Sequence, residues 1–180
     1  MTKLMPRQPV PPLQLSTLQG AAWRLNDPKP ANFTLVVVYR GLHCPVCGGY
    51  LKDLDGKVGA FAERGVAVVA ASTDDEARAR TAADKWQLEN LTLGYSLDPA
   101  TAAAWGLYFS AGIGKTSIGV EEPEMFAEPG LFLVRPDGTL YFASVQTMPF
   151  ARPAFGDVLK ALDFVLAKGY PARGELPAPV

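Results

Sequence analysis

The sequence predicts an α/β fold in which a central mixed sheet is flanked by helices. Two short apolar runs, 34–39 and 66–72, are separated by a helical pattern, which is typical of a βαβ unit with parallel strands. A third run, 130–135, is joined through the turn Pro136-Asp137-Gly138 to residues 139–145, which predicts a β-hairpin. Both cysteines of the chain follow the first run, three residues apart, so we expect the functional site there.

The segment that carries the cysteines predicts a reactive thiol pair. We expect a helix to begin at Cys44-Pro45, because proline at the first helical position needs no backbone N–H. Free N–H groups at a helix start favour a thiolate, so Cys44 is predicted to be an exposed nucleophile with a lowered pKa. Cys47 begins the apolar face of the helix and is predicted to be the buried partner. The pair is typical of a dithiol–disulfide site, to which Arg40 adds positive potential.

Three other interpretations of the two cysteines remain open. Half of a zinc site is one, but zinc needs further ligands, and the chain has no other cysteine and a single histidine, His43. A metal site that uses His43 with both thiols is the second. The third is a pair of inert core thiols, because free cysteine packs as a small apolar residue.

The rest of the chain adds a small β element and further helices. Residues 1–12 carry four prolines and predict an extended arm, and residues 13–25 predict a hairpin or two small strands. Thr73 is a plausible N-cap for a helix that runs to about Gln87. A short strand near 93–97 and a helix from Asp98-Pro99 towards Trp105 follow.

The C-terminal third contains a long irregular stretch and a last helix. Residues 106–128 fit no regular period, and a loop of this length is usually functional or mobile. They include Gly114-Lys115-Thr116, which resembles part of a phosphate loop, but Phe109 stands where that motif requires glycine. An apolar stripe predicts a helix over 153–168, and the Pro-rich tail 171–180 is expected to be loose. The predicted organisation is one domain over 13–170.

Composition limits the classes of function. The chain has 180 residues, 48% of them hydrophobic, and a net charge of −1 from 17 basic and 18 acidic side chains. These values are typical of a single globular domain and give no indication of nucleic-acid or membrane binding. Neither a spanning apolar run nor the apolar segment of a signal peptide is visible, so we expect a cytoplasmic protein. Paired cysteines are more often catalytic than structural in that compartment.

Two segments resemble the thioredoxin-like superfamily, and within it the peroxiredoxin-like proteins related to alkyl hydroperoxide reductases. Residues 38–47, Val-Tyr-Arg-Gly-Leu-His-Cys-Pro-Val-Cys, are similar to the Phe-Tyr-Arg-Gly-x-Trp-Cys-Pro-x-Cys segment of that group, with His43 where Trp is commoner. Residues 129–138, Pro-Gly-Leu-Phe-Leu-Val-Arg-Pro-Asp-Gly, are similar to the second signature. The resemblance covers about 13–168 and implies a thioredoxin-like fold. It also implies a cis-proline facing the redox cysteine, for which Pro129 is the candidate, with a trans proline at a strand edge as the alternative.

The chain departs from the peroxide-activating motif of true peroxiredoxins, Pro-x-x-x-Thr-x-x-Cys with an arginine. If the motif is aligned on Cys47, its proline and threonine fall on Arg40 and Cys44. If it is aligned on Cys44, they fall on Val37 and Gly41. The arginine of the second signature is replaced by proline. Arg40, Arg135 and Arg152 are therefore the candidate substitutes.

The sequence thus predicts a thiol–disulfide oxidoreductase or peroxiredoxin-like antioxidant enzyme that reduces peroxides or disulfides. Cys44 and Cys47 are the predicted catalytic residues, and no cofactor or metal is expected. The partners implied are a peroxide or disulfide substrate, a thiol reductant and, in a homodimer, a second copy of the chain. A non-catalytic binding module with the same fold is the alternative, with residues 106–128 carrying specificity. The predicted substrate groove is formed by Arg40, His43, Pro45 and Pro129.

Overall fold

The structure, a computed structural model, describes residues 4–20 and 22–177. It contains a seven-stranded mixed sheet and a separate two-stranded one. The strands are β1 (Gln14–Thr17), β2 (Ala22–Arg24), β3 (Phe33–Val38), β4 (Val66–Ala71), β5 (Thr92–Tyr95), β6 (Phe109–Ala111), β7 (Met125–Ala127), β8 (Gly130–Val134) and β9 (Leu140–Val145). The helices are α1 (Cys47–Asp55), α2 (Val58–Glu63), α3 (Glu76–Trp86), α4 (Pro99–Ala104) and α5 (Phe155–Lys168).

The large sheet has the strand order β2-β1-β5-β4-β3-β8-β9. Strands β3, β4 and β5 are parallel, while β8 pairs antiparallel with β3 and β9 antiparallel with β8. The small β1–β2 hairpin adds to the edge through β5. The predicted fold class, a central mixed sheet flanked by helices with a small N-terminal β element, is confirmed.

Strand β3 lies in the middle of the sheet, and all six of its residues are buried. Its side chains alternate between two hydrophobic cores, as a period of two requires. Leu35, Val37 and the following Tyr39 face the core that contains α1, α2 and α5, and Val36 and Val38 face the core that contains α4. Because both faces of β3 are covered, its C-terminal end gives a firm base for the loop that carries the cysteines.

The predicted helix after the cysteines is divided in two. Helix α1 ends at Asp55, a turn at Gly56-Lys57 follows, and α2 begins at Val58. Packing against α3 is so close that a Cβ atom on Gly48 would lie 2.7 Å from Nε1 of Trp86. A small residue is therefore required at this position of α1.

Two local predictions are corrected by the structure. The N-cap of α3 is Asp75 rather than Thr73, since the Asp75 side chain accepts a hydrogen bond from the backbone N–H of Arg78. The stretch 106–128 is not wholly irregular, because β6 and β7 form an antiparallel hairpin within it. We call residues 109–128 the hairpin arm.

The two terminal segments contact one another. The extended N-terminal segment lies along β9, where the backbone N–H of Arg7 donates to the carbonyl of Leu140 at 2.8 Å. The Arg7 guanidinium donates to the carbonyl of Ala172 at 3.0 and 2.8 Å, and it pairs with Glu175 at 3.2 Å.

Residues 1–3 of the predicted arm and 178–180 of the predicted tail lie outside the described residues. No helix of the described chain is long and apolar enough to cross a membrane.

Candidate active site

The two cysteines lie on one turn that leads into α1. The backbone N–H of Cys47 donates to the carbonyl of Cys44 at 3.3 Å, and Cys47 is the first residue of the helix, after the N-cap Val46. The prediction that the helix begins at Cys44-Pro45 is therefore wrong, because the first helical residue is Cys47, two residues after Pro45. Cys44 stands before the helix, where the backbone N–H groups of Val46 and Cys47 help to lower its pKa.

Both sulfurs are buried beneath that turn. Cys44 is 1% exposed and Cys47 is 0% exposed, while Pro45 and Val46 between them are exposed. The prediction of an exposed Cys44 is thus corrected, because the turn directs both side chains into the core that contains α1 and α5. Neither cysteine forms a disulfide. A reagent or substrate must therefore displace part of the turn to reach the thiols.

The two thiols have opposite pKa shifts. A hydrogen bond from the Cys47 thiol, opposed by burial and aided by the Val46 N–H and the Arg152 charge, lowers the pKa of Cys44 to about 7. Burial, followed by the interaction with Cys44, raises the pKa of Cys47 well above its ordinary value. As the pH rises through about 7, Cys44 therefore ionises while Cys47 keeps its proton, which is the division between attacking and resolving thiol.

Arg152 brings a positive charge to the pair from the loop between β9 and α5. Its Nη1 atom donates to the Cys47 sulfur at 3.6 Å. Its Cζ atom lies 4.0 Å from the centroid of the Tyr50 ring, and the Tyr50 hydroxyl donates to the carbonyl of Pro153 at 2.8 Å. Tyr50 of α1 therefore fixes both the guanidinium and the backbone that carries it.

Asp74 supports the loop that precedes Cys44. Its Oδ2 atom accepts a hydrogen bond from the backbone N–H of Leu42 at 2.7 Å, and its Oδ1 atom accepts from Arg78 Nε at 2.8 Å. The carboxylate occupies the space beside Gly41, where an added Cβ atom would lie 2.6 Å from Oδ2. Glycine at position 41 thus has a structural reason, since a residue without a side chain leaves room for the buried Asp74 carboxylate.

The Arg40 guanidinium binds the hairpin arm, while the backbone N–H of Arg40 helps to lower the pKa of Cys47. Its guanidinium lies 3.6 Å from Glu122 Oε1 and 3.4 Å from Glu128 Oε2, and its Cζ atom lies 4.6 Å from the Phe126 ring centroid. Glu128 is buried and also accepts a hydrogen bond from Ser110 at 2.5 Å. The cation predicted for the thiol site therefore holds the arm against the loop before Cys44.

His43 is packed into the same region as a neutral ring. It is fully buried, its ring centroid lies 4.4 Å from that of Phe126, and neither ring nitrogen has a hydrogen-bond partner among the described residues. Burial, opposed by the charge of Asp74, lowers the pKa of His43 to about 4. The described residues contain no group of three or more His, Cys, Asp or Glu side chains arranged to hold a metal ion.

Pro129 lies at the same end of the strands as the loop that carries the cysteines. The next residue, Gly130, pairs with Val38 at the end of β3, and the carbonyl of Pro129 accepts a hydrogen bond from Gln146 N–H at 3.0 Å. The cis peptide bond of the described residues joins Asp27 to Pro28, so the bond before Pro129 is trans. The trans alternative at a strand edge is therefore the observed one.

Several residues of the site were not identified from the sequence. Asp74 follows a strand and precedes a helix, and its acidic side chain suggested only a favourable helix end. Arg152 was one of three candidate arginines, and Tyr50 stood outside the predicted site. The contacts of all three residues depend on which elements pack together in the folded protein. No local pattern in the sequence indicates that packing.

The fold and the cysteine pair together define a class of protein, the thioredoxin-fold thiol oxidoreductases. The sequence model of the AhpC/TSA family matches residues 6–143, more than half of the chain. The chain therefore belongs to the AhpC/TSA family. The resemblance found in the sequence and the expectation of an oxidoreductase are both confirmed. A comparison with curated proteins gives no match.

Solved structures of the same class have a similar fold. The AhpC of Enterococcus faecalis is 18% identical, with 94% of this chain and 98% of that chain covered and a TM-score of 0.69. The peroxidoxin BcpB of Mycobacterium tuberculosis is 17% identical, covering 92% and 98%, with a TM-score of 0.66. The reduced 2-Cys peroxiredoxin of Plasmodium vivax is 16% identical, covering 100% and 90%, with a TM-score of 0.70. At these identities the likeness concerns the fold.

Proposed function

We propose that the protein is a thiol-dependent peroxidase that uses Cys44 and Cys47 as its redox couple. The observation that carries this proposal is the position of both thiols on one turn at the start of α1, where the pKa of Cys44 is lowered and that of Cys47 is raised. A thiolate at neutral pH is the nucleophile, and a neighbouring protonated thiol is the group that completes a disulfide. The similar fold of an AhpC and of a 2-Cys peroxiredoxin also supports this function.

The chemistry balances with these two residues and an external reductant. The Cys44 thiolate attacks one peroxide oxygen, so that an S–O bond forms as the O–O bond breaks and the leaving oxygen departs as an alcohol or water after protonation. Cys44 is then a sulfenic acid. The Cys47 sulfur attacks the Cys44 sulfur, the S–S bond forms, and the S–O oxygen leaves as water with the Cys47 proton. Two electrons from a thiol reductant restore the dithiol by exchange.

Disulfide reduction is the second candidate, and a specific observation favours it. The proline and threonine of the peroxide-activating motif are missing in either alignment. Their positions hold Arg40 and Cys44 in one alignment, and Val37 and Gly41 in the other. The dithiol itself is complete. In this reaction the Cys44 thiolate attacks a substrate disulfide, and Cys47 then releases the reduced substrate by attacking the mixed disulfide.

A homodimer and a cytoplasmic location remain predictions.

Stopped-flow measurement with hydrogen peroxide and with a small aromatic disulfide separates these functions. We expect wild-type protein to consume peroxide in the presence of a thiol donor. Cys44→Ser should abolish consumption, whereas Cys47→Ser should consume one equivalent and stop at a sulfenic acid that a cyclic 1,3-dione traps. Consumption of the disulfide alone would favour the second candidate.

The pH dependence of iodoacetamide labelling tests the binding-module alternative. Since the reactive species is the thiolate, the labelling rate of Cys44 should rise with pH through about 7. A midpoint near the free-thiol value of about 8.5, together with no turnover of either substrate, would contradict the proposed function and favour a binding module.

A further inference from the structure

We propose that Arg152 is a catalytic residue of the second half-reaction, in which Cys47 makes and breaks the disulfide. The inference rests on the proposed use of Cys44 and Cys47 as a redox couple. It assigns to Arg152 the task of stabilising negative charge on the Cys47 sulfur. That charge develops when Cys47 attacks Cys44, and again when a reductant attacks Cys44 and Cys47 leaves the disulfide.

The three candidate arginines differ in what they touch. Arg40 is paired with two buried carboxylates of the hairpin arm. Arg135 follows the far end of β8, since Val134 pairs with Thr34 at the start of β3, and its Cζ atom lies 5.0 Å from the Tyr141 ring centroid. Arg152 donates directly to a thiol sulfur. The charge available to the reacting atoms is therefore that of Arg152.

Arg152 contacts the sulfur of Cys47, the resolving thiol. Its charge therefore acts on the steps in which that sulfur reacts. The attacking thiolate of Cys44 is already stabilised by the Cys47 thiol and by the N–H groups of Val46 and Cys47. Burial and the neighbouring Cys44 raise the pKa of Cys47, and the opposing groups are the Arg152 charge and the backbone N–H of Arg40. For this thiol, ionisation is the difficult step, and the adjacent guanidinium lowers its free energy.

Tyr50 acts as a positioning residue for this arginine. Its ring lies under the guanidinium and its hydroxyl binds the carbonyl of the next residue, Pro153. The side chain is therefore held in one orientation at the sulfur rather than free to extend into water. A guanidinium that is already oriented stabilises the charge developing on Cys47 without a free-energy cost for reorganisation.

The test measures the two half-reactions separately at pH 8.5, above the pKa of Cys44. Rapid mixing with peroxide gives the rate of sulfenic acid formation and then the rate of disulfide formation. We expect Arg152→Met to slow disulfide formation about tenfold and to change the first step by less than about twofold. The rate at which glutathione reduces the Cys44–Cys47 disulfide should fall by a similar factor in Arg152→Met, because Cys47 leaves as a thiolate in that step.

Matched variants give the controls. Arg152→Lys keeps the charge and should recover part of the rate, and the pH profile of disulfide formation should move to higher pH in Arg152→Met. Tyr50→Leu should move the same profile in the same direction by a smaller amount. Arg135→Met removes another arginine stacked on tyrosine, away from the thiols, and should leave the rates of both half-reactions and of reduction by glutathione unchanged. Circular dichroism establishes that each variant is folded.

Two results would overturn the inference. One is an Arg152→Met protein whose rates of disulfide formation and of disulfide reduction by glutathione both stay within twofold of wild type. The other is an equal slowing of both half-reactions in Arg152→Met and in Arg135→Met. If the wild-type protein reduces no peroxide, the proposed function fails, but the rate at which glutathione reduces the disulfide, prepared with oxidised glutathione, still measures the effect of Arg152.

Discussion

Gly41 has a backbone conformation that other residues rarely adopt. Its φ angle is +134°, and an added Cβ atom would lie 2.6 Å from the Asp74 carboxylate. The same carboxylate accepts a hydrogen bond from the N–H of Leu42. The shape of the loop before Cys44 thus depends on one glycine and one buried acid.

Gly41→Ala is therefore expected to disturb the site. The strained backbone and the close contact with Asp74 should lower the free energy of unfolding by about 1–3 kcal/mol. The displaced loop should also weaken the hydrogen bonds to the Cys44 sulfur and raise its pKa, which iodoacetamide labelling against pH measures. Gly49→Ala, at a helical position with no atom near the added Cβ, should leave the labelling midpoint unchanged. Equal effects of the two substitutions would contradict this explanation.

At the scale of elements, the hairpin arm is held over the thiol loop by charge. Arg40 pairs with Glu122 and Glu128, and Arg78 Nη2 donates to the carbonyl of Glu121 at 3.2 Å. The Phe126 ring lies between Arg40 and His43. An element fixed by a few side-chain contacts opens more easily than the central strands do.

Removing these charges should loosen the arm. We expect the double variant Glu122→Gln and Glu128→Gln to be cleaved by trypsin at the exposed Lys115 about tenfold faster than wild type under native conditions, because the partly buried Arg40 then lacks its charged partners. Glu124→Gln, an exposed position of the same arm, should be cleaved at the wild-type rate. Unchanged cleavage of the double variant would show that apolar packing alone holds the arm.

The elements also show what the sequence could predict. The buried strands were predictable because β-branched runs such as 34–39 carry their own signal, and the hairpin at 136–138 has specific turn residues. The break between α1 and α2 and the N-cap at Asp75 were not, since Thr73 and Asp75 are both good caps. Cys44 was expected to be exposed because a helix start usually is, whereas here the turn points inward. The Arg40 and Arg152 contacts depend on tertiary packing and have no local signature.

At the scale of the whole molecule, one buried acid joins distant segments. The Oδ1 atom of Asp55 at the end of α1 accepts hydrogen bonds from the N–H groups of Glu89, Asn90 and Leu91, at 2.9, 2.7 and 2.9 Å. Burial raises the pKa of Asp55, but these bonds outweigh it and the net shift is downward. The carboxylate therefore stabilises the connection between α1 and the segment that enters β5.

Asp55→Ala should lower the free energy of unfolding by about 3 kcal/mol, because three backbone donors lose a charged acceptor. Since the folded pKa is below the unfolded value of about 3.9, the contribution of Asp55 is complete above that pH and is lost as the pH falls through the folded pKa. The difference between wild type and Asp55→Ala in urea denaturation should thus shrink below pH 4. Asp53→Ala, an exposed acid of the same helix, should cost about 0.5 kcal/mol or less.

The sealed position of the two sulfurs has a kinetic consequence. Each oxidation must wait for the turn with Pro45 and Val46 to swing aside, an event whose frequency is a property of the protein and not of the oxidant. As peroxide concentration increases, the oxidation rate should therefore level off at a ceiling equal to that frequency, and different small hydroperoxides should share the same ceiling. A rate that climbs in proportion to concentration throughout would show that the entrance is open already.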